Sequence, residues 1–89
     1  MHSWIKTDDL AAFYLSRFGT ERLPFDMPTI AKRRGITPGS MDMRIRNFEA
    51  YVGKGGLVNI AKKSVEVFEQ YKDTPEPELR NLAFPELAR

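Results

Sequence analysis

Arg46 and Asn47 stand side by side near the middle of the chain, with Met43 and Arg44 just before them. A guanidinium offers a planar fork of N–H donors, and a carboxamide sets a donor beside an acceptor. Such groups pair best with flat partners that carry two matching atoms. Nucleobase edges are partners of that kind: Arg fits guanine O6 and N7, and Asn fits adenine N6 and N7. Met43 offers an apolar contact suited to a thymine methyl. Ser40 can donate to a phosphate oxygen beside the free N–H groups of a helix start. Positive charge surrounds these side chains. Residues 28 to 63 hold eight basic side chains, Lys32, Arg33, Arg34, Arg44, Arg46, Lys54, Lys62 and Lys63, against Asp42 and Glu49 alone, for a local charge of +6. The remaining residues carry −4. A basic centre between acidic flanks is the footprint expected of a polyanion-binding face. Lys32, Arg33, Arg34, Lys54, Lys62 and Lys63 are the candidates for phosphate contact, and for each one alone a solvated surface role is the competing account.

These side chains act together only if helices position them. Thr7 reads as an N-cap, with Asp8 and Asp9 in the first turn where the helix dipole favours negative charge. Leu10, Phe13, Tyr14 and Phe18 recur at helical spacing, so a first helix is expected over about residues 8 to 18, ended by Gly19. Residues 20 to 26, with Pro24, read as a loop. A short second helix is expected from Pro28 to about Arg34, stopped by Gly35. Thr37 then caps a third helix that opens on Pro38 and runs to about Tyr51, with Met41, Ile45, Phe48 and Val52 as its inward stripe. Gly53-Lys54-Gly55-Gly56 breaks the chain, and the segment from Leu57 to Ala61 reads as loop, extended piece or turn. A fourth helix, about Lys62 to Tyr71, is expected to turn Val65, Phe68 and Tyr71 inward. Thr74-Pro75 repeats the cap-plus-proline pattern before a fifth helix that runs to about Phe84, with Leu79, Leu82 and Ala83 apolar. No segment alternates long enough to predict a strand.

The stretch from Ile30 to Ile45 resembles the helix-turn-helix of bacterial DNA-binding proteins, above all the form in sigma-factor region 4, whose turn runs Gly, apolar, Thr or Ser, Pro, small, Ser or Thr, apolar. Here those positions hold Gly35, Ile36, Thr37, Pro38, Gly39, Ser40 and Met41. The small Ala31 suits a close crossing of the two helices. Gly35 suits a positive φ. Ile36 and Met41 are expected to plug the angle between the helices. Arg34 departs from the pattern, since Leu is common there. In this arrangement the third helix lies in the major groove. Its wheel then presents Gly39, Met43, Arg46, Asn47 and Ala50, flanked by Ser40, Asp42 and Arg44.

A longer stretch is similar to a segment upstream of the nuclease in some HNH restriction endonucleases. It is carried by Ser40 to Phe48 with its Asn47-Phe48 pair, Gly55-Gly56-Leu57-Val58-Asn59, Ala61-Lys62-Lys63, Val67-Phe68-Glu69 and the opening Trp4 with Tyr14-Leu15. That resemblance implies a DNA-recognition module in a restriction-related or prophage setting. It does not extend to the nuclease, whose centre needs a His base and further ligands; the single histidine is His2.

Other chemistry finds little support. Gly53-Lys54-Gly55-Gly56 lacks the full phosphate-loop spacing and follows no strand. Glu66, Glu69, Asp73, Glu76 and Glu78 pair with no nucleophile or His. No cysteine is present, which excludes disulfides and thiolate zinc sites and suits a reducing cytoplasm. No apolar run approaches the roughly 20 residues of a membrane span, and Met1 to Lys6 lacks a signal peptide's layout.

The chain is therefore expected to form one all-α domain over residues 1 to 89, of about five helices, with a helix-turn-helix over about residues 28 to 51. It is expected to bind double-stranded DNA in transcription regulation or in a restriction- or prophage-related setting. No catalytic role, metal or cofactor is expected, and the location is cytoplasmic, with the nucleoid. The acidic flanks favour a second account, a protein–protein adaptor on the same scaffold, such as a phage factor acting on a host DNA-binding enzyme. An RNA binder ranks third, because no sheet is predicted to carry a stacking platform. The last helix has two available roles, closing the core or pairing a homodimer across a palindrome.

Overall fold

Glycine and proline punctuate the chain, and the helices fall between them. The computed structural model describes residues 4–54 and 61–87, with the side chains of 52–54 outside that description. The helices are α1 (Lys6–Phe18), α2 (Met27–Arg33), α3 (Pro38–Lys54), α4 (Lys62–Tyr71) and α5 (Glu76–Ala83), followed by a 3₁₀ turn over Pro85–Leu87. No strand occurs among the described residues. The all-α class stands, with five α-helices among the described residues. Leu57 to Ile60, the Gly55-Gly56 pair, Val52 as an inward residue and the Lys54 side chain lie outside the described residues.

Alpha-1 is the axis of the fold. Every residue from 8 to 15 is buried, because α3, α4 and α5 all pack on this one helix. A helix enclosed on all sides must be apolar nearly all round, and Leu10, Ala11, Ala12, Phe13, Tyr14 and Leu15 supply that. Phe13 meets Phe48 of α3 at 5.3 Å between ring centroids and Phe68 of α4 at 5.9 Å. Tyr14 meets Phe84 edge-on at 5.5 Å. Each fully buried ring of this size contributes about 1.5–3 kcal/mol of burial free energy. Alpha-5 turns Leu79 and Ala83 into the same core, so it closes the fold, while Leu82 stays 39% exposed.

The caps differ from the sequence pattern at two helices. Thr7 is not the N-cap of α1; Ile5 is, and its N–H donates to Asp8 Oδ2 at 3.2 Å. A carboxylate three residues into the helix can cap the entering backbone as well as a hydroxyl can. Likewise α5 starts after Pro75 rather than after Thr74, with Pro77 in its first turn. The cap of α3 is as expected: Ser40 N–H donates to Thr37 Oγ1 at 3.2 Å. Asp26 caps α2, accepting from Thr29 N–H at 3.0 Å. Alpha-3 runs through Gly53 to Lys54, past the expected end at Tyr51; one glycine late in a helix costs only about 1 kcal/mol.

On α4, Phe68 and Tyr71 pack against the core as expected, but the most buried positions are different. Its buried residues are Ser64 and Val67, while Val65 is half-buried. The reason lies in α1. Asp8 and Asp9 are buried, not solvated first-turn acids. Asp9 Oδ1 accepts from Ser64 Oγ at 2.7 Å and lies 3.3 Å from Arg44 Nε of α3. Asp8 Oδ1 accepts from Arg34 Nη1 at 3.1 Å. Arg34, which caps the end of α2, also donates through Nη2 to the Ala83 carbonyl at 2.6 Å. A buried carboxylate needs a donor facing it, so the α4 face that meets α1 is the one that carries a hydroxyl.

Two outcomes are expected. Asp8→Ala removes the closer and more buried of the two carboxylates beside Arg34, leaving Glu86 at 3.7 Å, and loses the Ile5 cap; it should destabilise the fold by about 3 kcal/mol in urea unfolding. Tyr14 donates its hydroxyl to Glu76 Oε2 at 2.6 Å. Burial, then the neighbouring Glu76, push its ionisation up to about 12 from 10.0. A raised pKa in the folded chain means that Tyr14 contributes stability in full below pH 10 and loses it as pH rises through about 12. One of the three tyrosines should therefore ionise near pH 12 by tyrosinate absorbance, and Tyr14→Phe should remove that step.

Candidate nucleic-acid interface

Alpha-2 and α3 are joined by a tight turn at residues 34–37. Gly35 has φ 74°, one of only two positive-φ glycines among the described residues. Its conformation lets the Ile36 N–H reach back to the Ala31 carbonyl at 2.9 Å. Ile36 and Met41 are 2% and 0% exposed, and Ala31 is fully buried. The apolar plug between the two helices is thus in place. Because α3 buries Met41 and Phe48, its opposite side faces solvent.

That outer side holds Gly39, Met43 and Arg46, all exposed, with Asn47 and Ala50 half-buried. Met43 is 66% exposed, far more than an apolar side chain gains by packing. Arg46 donates through Nε to Asp42 Oδ2 at 2.9 Å. Ser40 is exposed, and its Oγ accepts from the Thr37 hydroxyl at 2.9 Å. Along one flank of this face, Trp4, Ser40, Met43, Arg44 and Asn47 line an open cleft of about 210 Å³. Lys63 adjoins it, since its Nζ donates to the Trp4 carbonyl at 2.9 Å.

The structure divides the predicted set. Ser40, Met43, Arg46 and Asn47 share the outer side of α3. Lys32 and Arg33 are exposed on α2, with the Arg33 guanidinium 4.3 Å from the Phe25 ring centroid. Lys62 and Lys63 are exposed at the start of α4. Arg34 and Arg44 are placed elsewhere. Their side chains are 12% and 14% exposed and engage Asp8 and Asp9. Arg44 also lies 4.1 Å over the Trp4 ring. These two arginines hold helices together rather than facing outward. The Lys54 side chain is outside the described residues. Trp4 and Asp42 were not among the predicted site residues. For Asp42 the signal was present, since an acid four residues before an arginine on a helix pairs with it. Among the described residues no three metal-ligating side chains converge.

Burial pushes the Asp9 carboxyl above its usual range, partly opposed by the Ser64 hydrogen bond and the Arg44 charge. No known family model matches the chain, and neither a curated protein nor a solved structure matches it.

Asp9 has a folded pKa above its unfolded one, so its contribution to stability is fully present below pH 3.8 and falls as pH rises through the folded value. Asp9→Asn keeps an acceptor for Ser64 and abolishes the titration. The stability of this variant relative to the unmodified chain should therefore increase as pH is raised from the acid side, measured by urea unfolding across a pH series.

Proposed function

We propose that this domain binds double-stranded DNA, with α3 in the major groove, as a recognition module without catalytic function of its own. The observation that carries this reading is the outer side of α3. A helix clamped on one side through Met41 and Phe48 leaves Met43, Arg46, Asn47 and Ser40 free to meet base edges and phosphates. The Gly35 turn and the Ile36–Met41 plug support a helix-turn-helix reading of α2 and α3. The resemblance to sigma-factor region 4 and to the segment upstream of HNH nucleases agrees with this role and suggests a regulatory or restriction-related setting. Lys32, Arg33, Lys62 and Lys63 supply exposed positive charge for phosphate neutralisation. The adaptor reading drew on acidic flanks. Asp8, Asp9 and Glu76 are engaged in internal contacts, which weakens it.

Fluorescence anisotropy with a labelled mixed-sequence duplex, repeated across a salt series, tests the reading. Affinity should rise steeply at low salt, with a log–log slope equivalent to several phosphates. Lys32→Ala should weaken binding about evenly across sequences and flatten that slope by about one. Flat anisotropy at low salt would overturn the proposal.

A further inference from the structure

Asp42 is one of two acids within residues 28 to 63, and it stands on the face proposed to meet a polyanion. A carboxylate there repels phosphate, so its placement calls for a compensating role. Its partner is Arg46, one turn further along α3. Arg46 Nε donates to Asp42 Oδ2 at 2.9 Å, with the two side chains 75% and 46% exposed.

We propose that Asp42 is a positioning residue that sets the Arg46 guanidinium to read a guanine in the major groove of a duplex. The proposal rests on the DNA-binding reading and names the base that this site takes. A guanidinium can dock through its side, using Nε and one Nη, or through its end, using both Nη groups. Asp42 occupies Nε. The end pair remains, and no described residue accepts from it. Two parallel donors match the adjacent acceptors O6 and N7 of guanine. Adenine sets an amine beside N7 and would oppose donor to donor. The ion pair also restrains a long, exposed side chain before binding, so less rotamer freedom is lost on contact. An ordinary helix-stabilising pair has the same spacing. Only base preference separates the two roles.

The test is selection of bound sites from a randomised duplex pool, followed by affinities for the four bases at each selected position. The unmodified chain should prefer guanine at one position by about tenfold or more, and Arg46→Ala should abolish that preference. Asp42→Ala should still bind duplex, with a salt slope no flatter and a melting temperature within about 3 °C. Its guanine preference should fall by about three- to tenfold, and Asp42→Asn, which keeps an acceptor, should recover part of it. Replacing that guanine with 7-deazaguanine should weaken the unmodified chain and leave Arg46→Ala unaffected. Full guanine preference in Asp42→Ala, or no guanine position that depends on Arg46, would overturn the proposal while DNA binding stands. Failure to bind any duplex at low salt would overturn both.

Discussion

Two adjacent carboxyl groups at the start of the central helix fix how the other helices dock on it. Asp8 and Asp9 each collect a different pair of elements. Asp8 takes Arg34, and through it the end of α2 and the Ala83 carbonyl at the end of α5. Asp9 takes Ser64 of α4 and the charge of Arg44 on α3. The end of α2, α3 and α4 thus meet one turn of α1 by polar contacts, and α5 is tied in through Arg34, over and above the aromatic cluster around Phe13 and Tyr14. A buried carboxylate without its partners is far more costly than a missing apolar contact. Such groups narrow the number of packings that a small core accepts.

That constraint reaches the proposed interface through Arg44. Its guanidinium is drawn inward by Asp9 and covered by the Trp4 ring. With Arg44 held on one flank and Met41 and Phe48 on the core side, α3 has one rotational setting. The side chains left outside are then fixed as a set: Ser40, Met43, Arg46 and Asn47. The tie between Lys63 and the Trp4 carbonyl brings the start of α4 to the same flank. Arrangement of the outer face is therefore a consequence of what is buried beneath it.

Much of this was legible in the sequence, for local reasons. Gly35, Thr37 and Pro38 mark the turn because glycine tolerates positive φ and threonine caps a backbone that proline then leads into a helix. The i, i+4, i+7 run of Met41, Ile45 and Phe48 identifies the buried side of α3, and the outer candidates follow by subtraction. The carboxylate network was not legible. Two acids in a first turn have a sufficient local explanation in the helix dipole, and their true partners lie 26 and 55 residues away in Arg34 and Ser64. Periodicity carries no information about pairings at that range. The same gap hid the burial of Arg34 and Arg44, which composition alone groups with the exposed basic residues. On α4 it also hid the buried Ser64, whose hydroxyl rather than Val65 meets α1, although Phe68 and Tyr71 pack on the core as expected.

The chain has a single tryptophan, and the fold sets it at the edge of α3, beneath the Arg44 guanidinium and on the wall of the cleft with Met43 and Asn47. Indole emission is sensitive to nearby charge and to stacked bases. The molecule therefore carries its own optical gauge where its recognition surface is proposed to lie. Anything that settles against that flank of α3, or that draws Arg44 away from Asp9, changes the surroundings of the one indole, which reports it without a label.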